Sequence, residues 1–484
     1  MKLRDLLQGI PVLEATVDLN MEIENVVYDT RKEITSGSLF VAIKGFSFDG
    51  NSYIPAALEK GAAAVVTAHK PAGDVPYVLV SSDRLALAML GTNFYGRPAE
   101  AMKMVGVTGT NGKTSVTLLL KQVLERVRGA KVGLIGTTGN RIGDMPLPTE
   151  RTTPESFELQ ALFAKMRDAG CEYAIMEVSS HAIALDRVAG ITFDAAAFTN
   201  LTEDHLDFHK TMENYCDTKA QLFSRCKAAV LNQDDEWFDR IAGAATCQVL
   251  SASAKTEAGL YAKNVELRSD GVSFTAVCGE ETAEVSLPIP GKFTVYYALT
   301  VLGLALQLGV SLQDAADALK TAEGVKGRVE VVPTPGKPYT VLIDYAHTPD
   351  GLENVLSSVA GFCKGRLISV FGCGGDRDPI KRPIMGRIGV ELSDIAVITS
   401  DNPRTEKPGA IIADILKGVD SQRKNYQVIE DRKKAIFYAM DIAQKDDIIV
   451  LAGKGHETYQ EICGVKYPMD ERQIVAEYLS EERN

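Results

Sequence analysis

Chemistry-bearing side chains crowd into one stretch, Thr108-Gly109-Thr110-Asn111-Gly112-Lys113-Thr114-Ser115. The glycines free backbone N–H groups to turn toward a phosphate, Lys113 adds a point charge, and the Thr114 hydroxyl suits Mg²⁺. Met104-Val105-Gly106-Val107 before it and Val116 to Leu120 after it give the order strand, phosphate loop, helix. The loop is compressed, with no glycine five positions before Gly112 as the common pattern has.

Further polar groups stand where apolar runs stop. Tyr173 to Met176 ends in Glu177, followed by Ser179, Ser180 and His181; Ala195 to Thr199 leads through Asn200 to Glu203, Asp204, His205, Asp207 and His209. On a parallel sheet these ends share the edge that carries the phosphate loop, where the Glu177 carboxylate and the His205 imidazole would complete Mg²⁺ coordination around ATP. Thr211 to Cys226 reads as an amphipathic helix with its apolar stripe at Met212, Tyr215, Leu222 and Cys226, and Lys219 lies in that stripe. Two readings of Lys219 stand side by side. One is a packed stem with its head in water; the other is a buried amine of depressed pKa that takes up CO₂ as a carbamate and becomes an oxygen ligand for Mg²⁺.

Four more apolar runs end in polar clusters toward the C-terminus. Thr340 to Ile343 ends in Asp344-Tyr345-Ala346-His347, and Leu367 to Phe371 ends in Gly372-Cys373-Gly374-Gly375-Asp376-Arg377. Ile395 to Thr399 ends in Ser400-Asp401-Asn402-Pro403-Arg404, and Ile448 to Leu451 leads to Gly453-Lys454-Gly455-His456-Glu457. Parallel strands would bring all four clusters to one crevice. There Arg377 and Arg404 offer forks to a carboxylate, while Asp401 and Glu457 offer acceptors to an ammonium, so the implied ligand is an amino acid.

The elements that must hold these groups make an α/β chain long enough for about three domains. The expected boundaries are 1–98 for a small N-terminal α/β domain, 99–330 for a central mononucleotide-binding domain on a parallel sheet, and 331–484 for a C-terminal Rossmann-like domain. Gly96-Arg97-Pro98 and the glycine- and proline-rich stretch from Gly324 to Pro338 mark the joints. Arg328, at the second joint, is either a phosphate contact or an exposed boundary residue. In the first domain Asp29-Thr30-Arg31 and Lys44 to Gly50 are plain turns or ligand loops. A net charge of −12 excludes a general nucleic-acid or anionic-membrane binder. Eight cysteines with no Cys-x-x-Cys pair fit free thiols in a reducing cytoplasm. Met1 to Val12 lacks a signal-peptide core, and no apolar run is long enough for membrane insertion.

Thr108 to Thr114, Glu177-Val178-Ser179-Ser180-His181, Asn200 to Asp207 and Asp344 to Asp350 resemble the motifs of the Mur ligases of bacterial peptidoglycan synthesis, and the similarity runs nearly end to end. Gly372 to Arg382, Asp401 to Arg404 and Gly453 to Glu457 resemble the diaminopimelate-adding branch. The resemblance implies a cytoplasmic, monomeric, ATP-dependent amide ligase whose small-molecule substrates are a UDP-muramoyl dipeptide and meso-2,6-diaminopimelate. It places the ATP phosphates on Gly109, Thr110, Asn111, Gly112, Lys113, Thr114 and Ser115, Mg²⁺ on Thr114, Glu177 and His205, and the carbamate on Lys219. It places the dipeptide substrate on Thr152, Thr153, Ser179 and Arg187, with Thr30 near the uridine. Diaminopimelate falls to Arg377, Asp401, Asn402, Pro403, Arg404, Gly453 and Glu457.

Arg404 suits the second carboxylate of diaminopimelate, whereas the ammonium of lysine would be repelled. Thr294 and Tyr297 depart from the asparagines usual in the family, and Thr30 stands where serine is common. The implied reaction forms an acyl phosphate from the D-glutamyl carboxylate and ATP, which the amine then attacks as the third domain closes on the second. The rival readings are the lysine-adding ligase of the same family, folylpolyglutamate synthase and, from another class, a P-loop nucleotide switch.

Overall fold

A computed structural model describes residues 1–45, 49–148 and 151–481; Phe46-Ser47-Phe48, within one of the candidate ligand turns, lies outside the described residues. The chain packs into two compact units, one of 1–253, 258–260 and 300–311, the other of 254–257, 261–299 and 312–484.

In the first unit, β1 (Val12–Ala15), β2 (Asn25–Val27), β3 (Ser38–Ala42), β4 (Ala64–Thr67) and β5 (Tyr77–Val80) form a sheet in the order β1-β5-β4-β3-β2, parallel except for β1. β3 and β4 are buried along their whole length, as apolar strands covered on both faces must be. The helix Asp83–Phe94 starts at Ser82, whose hydroxyl accepts from Leu85 N, and packs Leu87 and Leu90 against Val66 and Val78. Phe157, from the helix Ser156–Asp168, enters the same core.

The second sheet of this unit holds β6 (Lys103–Thr108), β7 (Val132–Ile135), β8 (Asn140–Ile142), β9 (Met145–Leu147), β10 (Tyr173–Glu177), β11 (Ala195–Phe198), β12 (Ala228–Asn232) and β13 (Gln248–Ser253). Its order is β13-β12-β11-β6-β10-β7-β8-β9, parallel apart from the β7-β8-β9 meander. Glu177 pairs across from Val107, and Phe198 across from Thr108, so the ends of β6, β10 and β11 are level. The helix Lys113–Arg128 leaves the phosphate loop here. Gly129, left-handed at φ 62°, ends it, and Arg126 and Arg128 in its last turn complement the helix dipole.

The helix expected over Thr211 to Cys226 is shorter. It runs Met212–Ala220, capped by the Thr211 hydroxyl, and a 3₁₀ turn follows over Gln221–Ser224. Leu222 and Phe223 are adjacent and both fully buried, and neighbours in sequence diverge on an α-helix.

The second unit opens with the antiparallel meander β14 (Leu260–Arg268), β15 (Gly271–Cys278) and β16 (Glu281–Leu287). Its main sheet contains β17 (Glu330–Val332), β18 (Thr340–Asp344), β19 (Leu367–Phe371), β20 (Ile395–Ile398), β21 (Tyr426–Val428) and β22 (Ile448–Ala452), in the order β17-β18-β22-β19-β20-β21. All but β17 are parallel, and the pairings Asp344 with Ala452, Val370 with Leu451 and Phe371 with Ile398 bring four polar strand ends to one edge. The hairpin β23 (Tyr459–Ile462) and β24 (Val465–Pro468) follows β22.

Candidate active site

Gly109 adopts φ 147°, and a Cβ there would stand 1.9 Å from Thr199 Oγ1, so only glycine lets the phosphate loop lie against the end of β11. Thr199 Oγ1 and Asn200 Nδ2 donate to the Asn111 carbonyl at 2.6 and 3.0 Å, and Asn111 N donates to Asn200 Oδ1 at 3.0 Å. Thr110 Oγ1 lies 3.3 Å from the Tyr215 hydroxyl. Gly112 turns left-handed at φ 88°, and Ser115 is half-buried in the first turn of the helix.

Two lysines converge on this loop. Lys113 Nζ donates to the Gly109 and Thr110 carbonyls at 2.8 Å each, and Lys219 Nζ donates to the same Gly109 carbonyl at 3.0 Å. Lys219 is 1% exposed, with its amine 4.5 Å from the centre of the Tyr215 ring. Burial first, and then the Lys113 ammonium, hold its pKa well below the lysine range. Its burial removes the reading with its head in water.

Glu177, 1% exposed, stands at the centre of a chain of hydroxyls. Its Oε1 accepts from Thr114 Oγ1 at 2.9 Å and from Thr137 N at 2.8 Å, and its Oε2 accepts from Thr137 Oγ1 at 3.1 Å. The Thr137 hydroxyl lies 3.0 Å from that of Thr152, and Thr153 Oγ1 donates to the Glu177 carbonyl at 2.9 Å. Ser179 N donates to Thr153 Oγ1 at 3.3 Å, and Arg187 Nη1 donates to the Thr153 carbonyl at 3.1 Å. No cationic side chain pairs with Glu177 among the described residues. A buried carboxylate beside a phosphate-loop hydroxyl, with no protein cation to balance it, fits a divalent metal.

His205 stands apart from that chain. It is exposed and left-handed at φ 53°, its Nε2 is 3.4 Å from Asp204, and its ring meets His181 edge-on at 4.8 Å. Among the described residues no three His, Cys, Asp or Glu side chains gather as a metal nest. Buried His209 lies 2.9 Å from Ser180 Oγ, and burial, followed by His181, pushes its pKa down to about 4.

In the second unit the four strand ends form a dense polar network. Asp401 Oδ1 accepts from Asn402 N at 2.6 Å, while its Oδ2 is buried without a hydrogen-bond partner. Gly453, at φ 120°, faces that oxygen; a Cβ there would lie 2.6 Å from it. Fully buried Lys454 donates to Asn402 Oδ1 and Glu457 Oε2 at 2.8 Å each, and Asn402 Nδ2 donates to Glu457 Oε2 at 2.9 Å. Burial raises the Glu457 carboxyl, but Lys454 and Asn402 together hold it below its ordinary value. Arg404, left-handed at φ 52°, pairs through Nε with Glu461 at 3.1 Å and donates from Nη1 to the Gly375 carbonyl at 2.7 Å. Pro403 is buried and Arg377 exposed.

The remaining candidates lie outside these networks. Arg328 is exposed over the Tyr345 ring at 5.3 Å, and the Thr30 carbonyl accepts from Lys60 at 2.7 Å. Thr294 Oγ1 donates to the Pro290 carbonyl at 3.1 Å, and burial raises the Tyr297 phenol to about 12.

Thr137 and Lys454 carried no sequence expectation. Thr137 closely follows β7 and obeys the strand-end rule that singled out Glu177; Lys454 sits inside a cluster already read as functional.

Three family models match the chain: Mur ligase family, catalytic domain, over residues 22–95; Mur ligase middle domain over 107–305; and Mur ligase, glutamate ligase domain, over 327–455. The UDP-N-acetylmuramoyl-L-alanyl-D-glutamate–2,6-diaminopimelate ligase 1 of Clostridium acetobutylicum is 47% identical over 484 residues, covering 99% of this chain and 100% of its own. A solved structure of a ligase with the same substrate names is 31% identical with a TM-score of 0.78, covering 100% of this chain and 99% of that one. A MurF ligase of Thermotoga maritima, solved in complex with ADP, shares the fold at TM-score 0.59 and 19% identity, over 95% of this chain and 99% of its own.

Proposed function

The chain belongs to the Mur ligase family, and on that premise we propose that it joins meso-2,6-diaminopimelate to the D-glutamyl γ-carboxylate of UDP-N-acetylmuramoyl-L-alanyl-D-glutamate with cleavage of ATP. The observation that carries this is the double use of Glu177. Its carboxylate takes the hydroxyl of Thr114 from the phosphate loop, and its carbonyl takes Thr153 of the acceptor residues. A γ-phosphate on the loop and a carboxylate on Thr152, Thr153, Ser179 and Arg187 would therefore meet at one strand end.

The acceptor carboxylate attacks the γ-phosphorus of ATP, giving an acyl phosphate and ADP. Lys113, swinging from the loop carbonyls to the phosphates, balances the charge that spreads over the phosphoryl oxygens. Thr114 and Glu177 would hold Mg²⁺, with His205 as a further ligand; when bound it supplies charge neutralisation and orientation of the phosphates. The Lys219 amine, its pKa depressed in its buried seat, adds CO₂ with loss of a proton, which puts an anion next to Lys113 where an uncharged amine stood.

Asp401 and Glu457 receive an ammonium of diaminopimelate. Arg404, backed by Glu461, and exposed Arg377 receive its carboxylate. The free amine attacks the acyl carbon and phosphate leaves, so no side chain forms a covalent bond to substrate. The domains are taken as 1–98, 99–330 and 331–484. The compartment is taken as the cytoplasm, which eight free thiols suit, and no described helix is long and apolar enough to cross a membrane.

Phosphate release tests the reading. It should require ATP, the UDP-muramoyl dipeptide and diaminopimelate together. Preference for L-lysine would point to the lysine-adding ligase, turnover of a folate with glutamate to folylpolyglutamate synthase, and nucleotide hydrolysis indifferent to both acceptors to a switch.

A further inference from the structure

The first unit contains a cationic cluster of which the proposed reaction uses only Arg187. Glu155 is 7% exposed; its Oε1 accepts from Ser156 N at 3.1 Å. Its Oε2 faces Arg187 Nε at 3.4 Å and Arg84 Nη1 at 3.7 Å, with Arg151 Nη1 at 3.9 Å on the exposed side. Arg84 opens the first-domain helix Asp83–Phe94, whereas Arg187 and Glu155 belong to the segments that carry Ser179 and Thr153.

Among the described residues Glu155 is the carboxylate that ion-pairs with both guanidiniums; Asp186 has its own arginine, Arg225, at 3.9 Å, and Asp83 and Glu158 are engaged by Lys44 N and by Tyr28 and Lys32. Arg187 spends one donor on the Thr153 carbonyl, yet both forks keep open donors. Arg187 Nε is buried without a hydrogen-bond partner, and Arg84 donates no hydrogen bond among the described residues. Half-buried guanidinium groups with vacant donors are receptors for phosphate or carboxylate oxygens.

The surroundings point to the same ligand. Asp83, next to Arg84, accepts from Lys44 N at 2.9 Å, which ties this helix to Lys44. The Tyr28 hydroxyl donates to Glu158 at 2.5 Å, which brings the Asp29-Thr30-Arg31 turn to the helix that Glu155 precedes. Lys44 and Tyr28, which adjoin the turns singled out in the sequence, thus bond to residues next in chain or helix to the cluster, and Thr153 touches Arg187 directly.

We propose that Arg84 is a substrate-binding residue which, together with Arg187, grips an anionic group of the acceptor, a phosphate or a carboxylate. The inference rests on the acceptor assigned above, a molecule that carries a diphosphate and carboxylates.

The test is calorimetric titration of the full chain, without ATP, with UDP-N-acetylmuramoyl-L-alanyl-D-glutamate and with UDP-N-acetylglucosamine, which has the diphosphate but no carboxylate. R84M should raise the Kd for the acceptor roughly tenfold to a hundredfold. R84K should fall between, because lysine keeps the charge and loses the fork. A matching loss for UDP-N-acetylglucosamine assigns the anion to the diphosphate, and a loss confined to the acceptor assigns it to a carboxylate. An unchanged acceptor Kd, with or without a lowered Tm, overturns the inference, since Arg84 would then only balance Glu155. If R84M does not fold, R84K, which retains the ion pair, carries the same comparison. Failure of the ligase reading looks different: the unaltered chain would release no phosphate when given all three substrates.

Discussion

Lys113 and Lys219 donate to one acceptor, the Gly109 carbonyl, at 2.8 and 3.0 Å. Two ammonium groups so placed repel, and the buried one has no water to stabilise its charge, so Lys219 is the group whose pKa falls. As a carbamate it would attract Lys113 instead. The pair links the nucleotide loop to the helix Met212–Ala220 through a single carbonyl.

If that carbamate serves the reaction, Lys219→Ala should lower kcat roughly a hundredfold or more, the scale of removing one preorganised electrostatic group. A small added carboxylate should restore part of the loss. Isotope-labelled bicarbonate should give a carbamate resonance in the unaltered protein and none in the variant. Full activity of the variant without added carboxylate would end the assignment.

The same amine makes stability depend on pH, with a definite sign. Its folded-state pKa is depressed below the ordinary value of about 10.4. Between the two values the unfolded chain holds a proton that the folded chain lacks, so stability rises with pH across that window. Lys219→Met removes the titration. In CO₂-free buffer its Tm should exceed that of the unaltered protein most at neutral pH, and the gap should narrow toward about pH 10. A gap that widens with pH would contradict the buried neutral amine.

Much of the polar cluster in each unit was legible because strand ends announce themselves. Gly109 to Ser115, Glu177 and Asp401 to Arg404 each follow an apolar run, and parallel register does the rest. The burial that excludes a solvated head for Lys219 was not legible, since a lysine in an apolar stripe reads alike whether its head is wet or dry. Nor was Glu155 with Arg84 and Arg187, whose partners come from separate segments with no shared period. The helix stops at Ala220 although Leu222 and Cys226 keep a helical spacing, because tertiary burial of Leu222 and Phe223 overrides it.

Glu177→Gln isolates charge from shape. The amide keeps an oxygen for Thr114 and Thr137, so Tm should move by only a few degrees. The negative charge is lost, and kcat should fall roughly a hundredfold with a higher Mg²⁺ concentration needed for half-maximal rate. Activity titrated against Mg²⁺ at saturating ATP checks this. An unchanged Mg²⁺ requirement would mean that the carboxylate only anchors Thr137.

Lys454 ties together two polar side chains of the second unit. Its ammonium is wholly enclosed and donates to Asn402 and Glu457, two residues assigned to diaminopimelate. Lys454→Met would leave the Glu457 carboxylate half-buried without its cation and free the Asn402 amide. Removing one partner of a buried pair costs about 3 kcal/mol, so the denaturant midpoint should fall clearly. Glu457 would lose the partner that holds its pKa down, and the KM for diaminopimelate should rise while that for ATP stays near its original value. Adding Glu457→Gln to the variant removes the stranded charge, so the double variant should regain part of the lost stability but none of the lost affinity. If the two substitutions instead add independently in denaturant melts, Lys454 and Glu457 are not coupled, and Lys454 is simply a packed core residue.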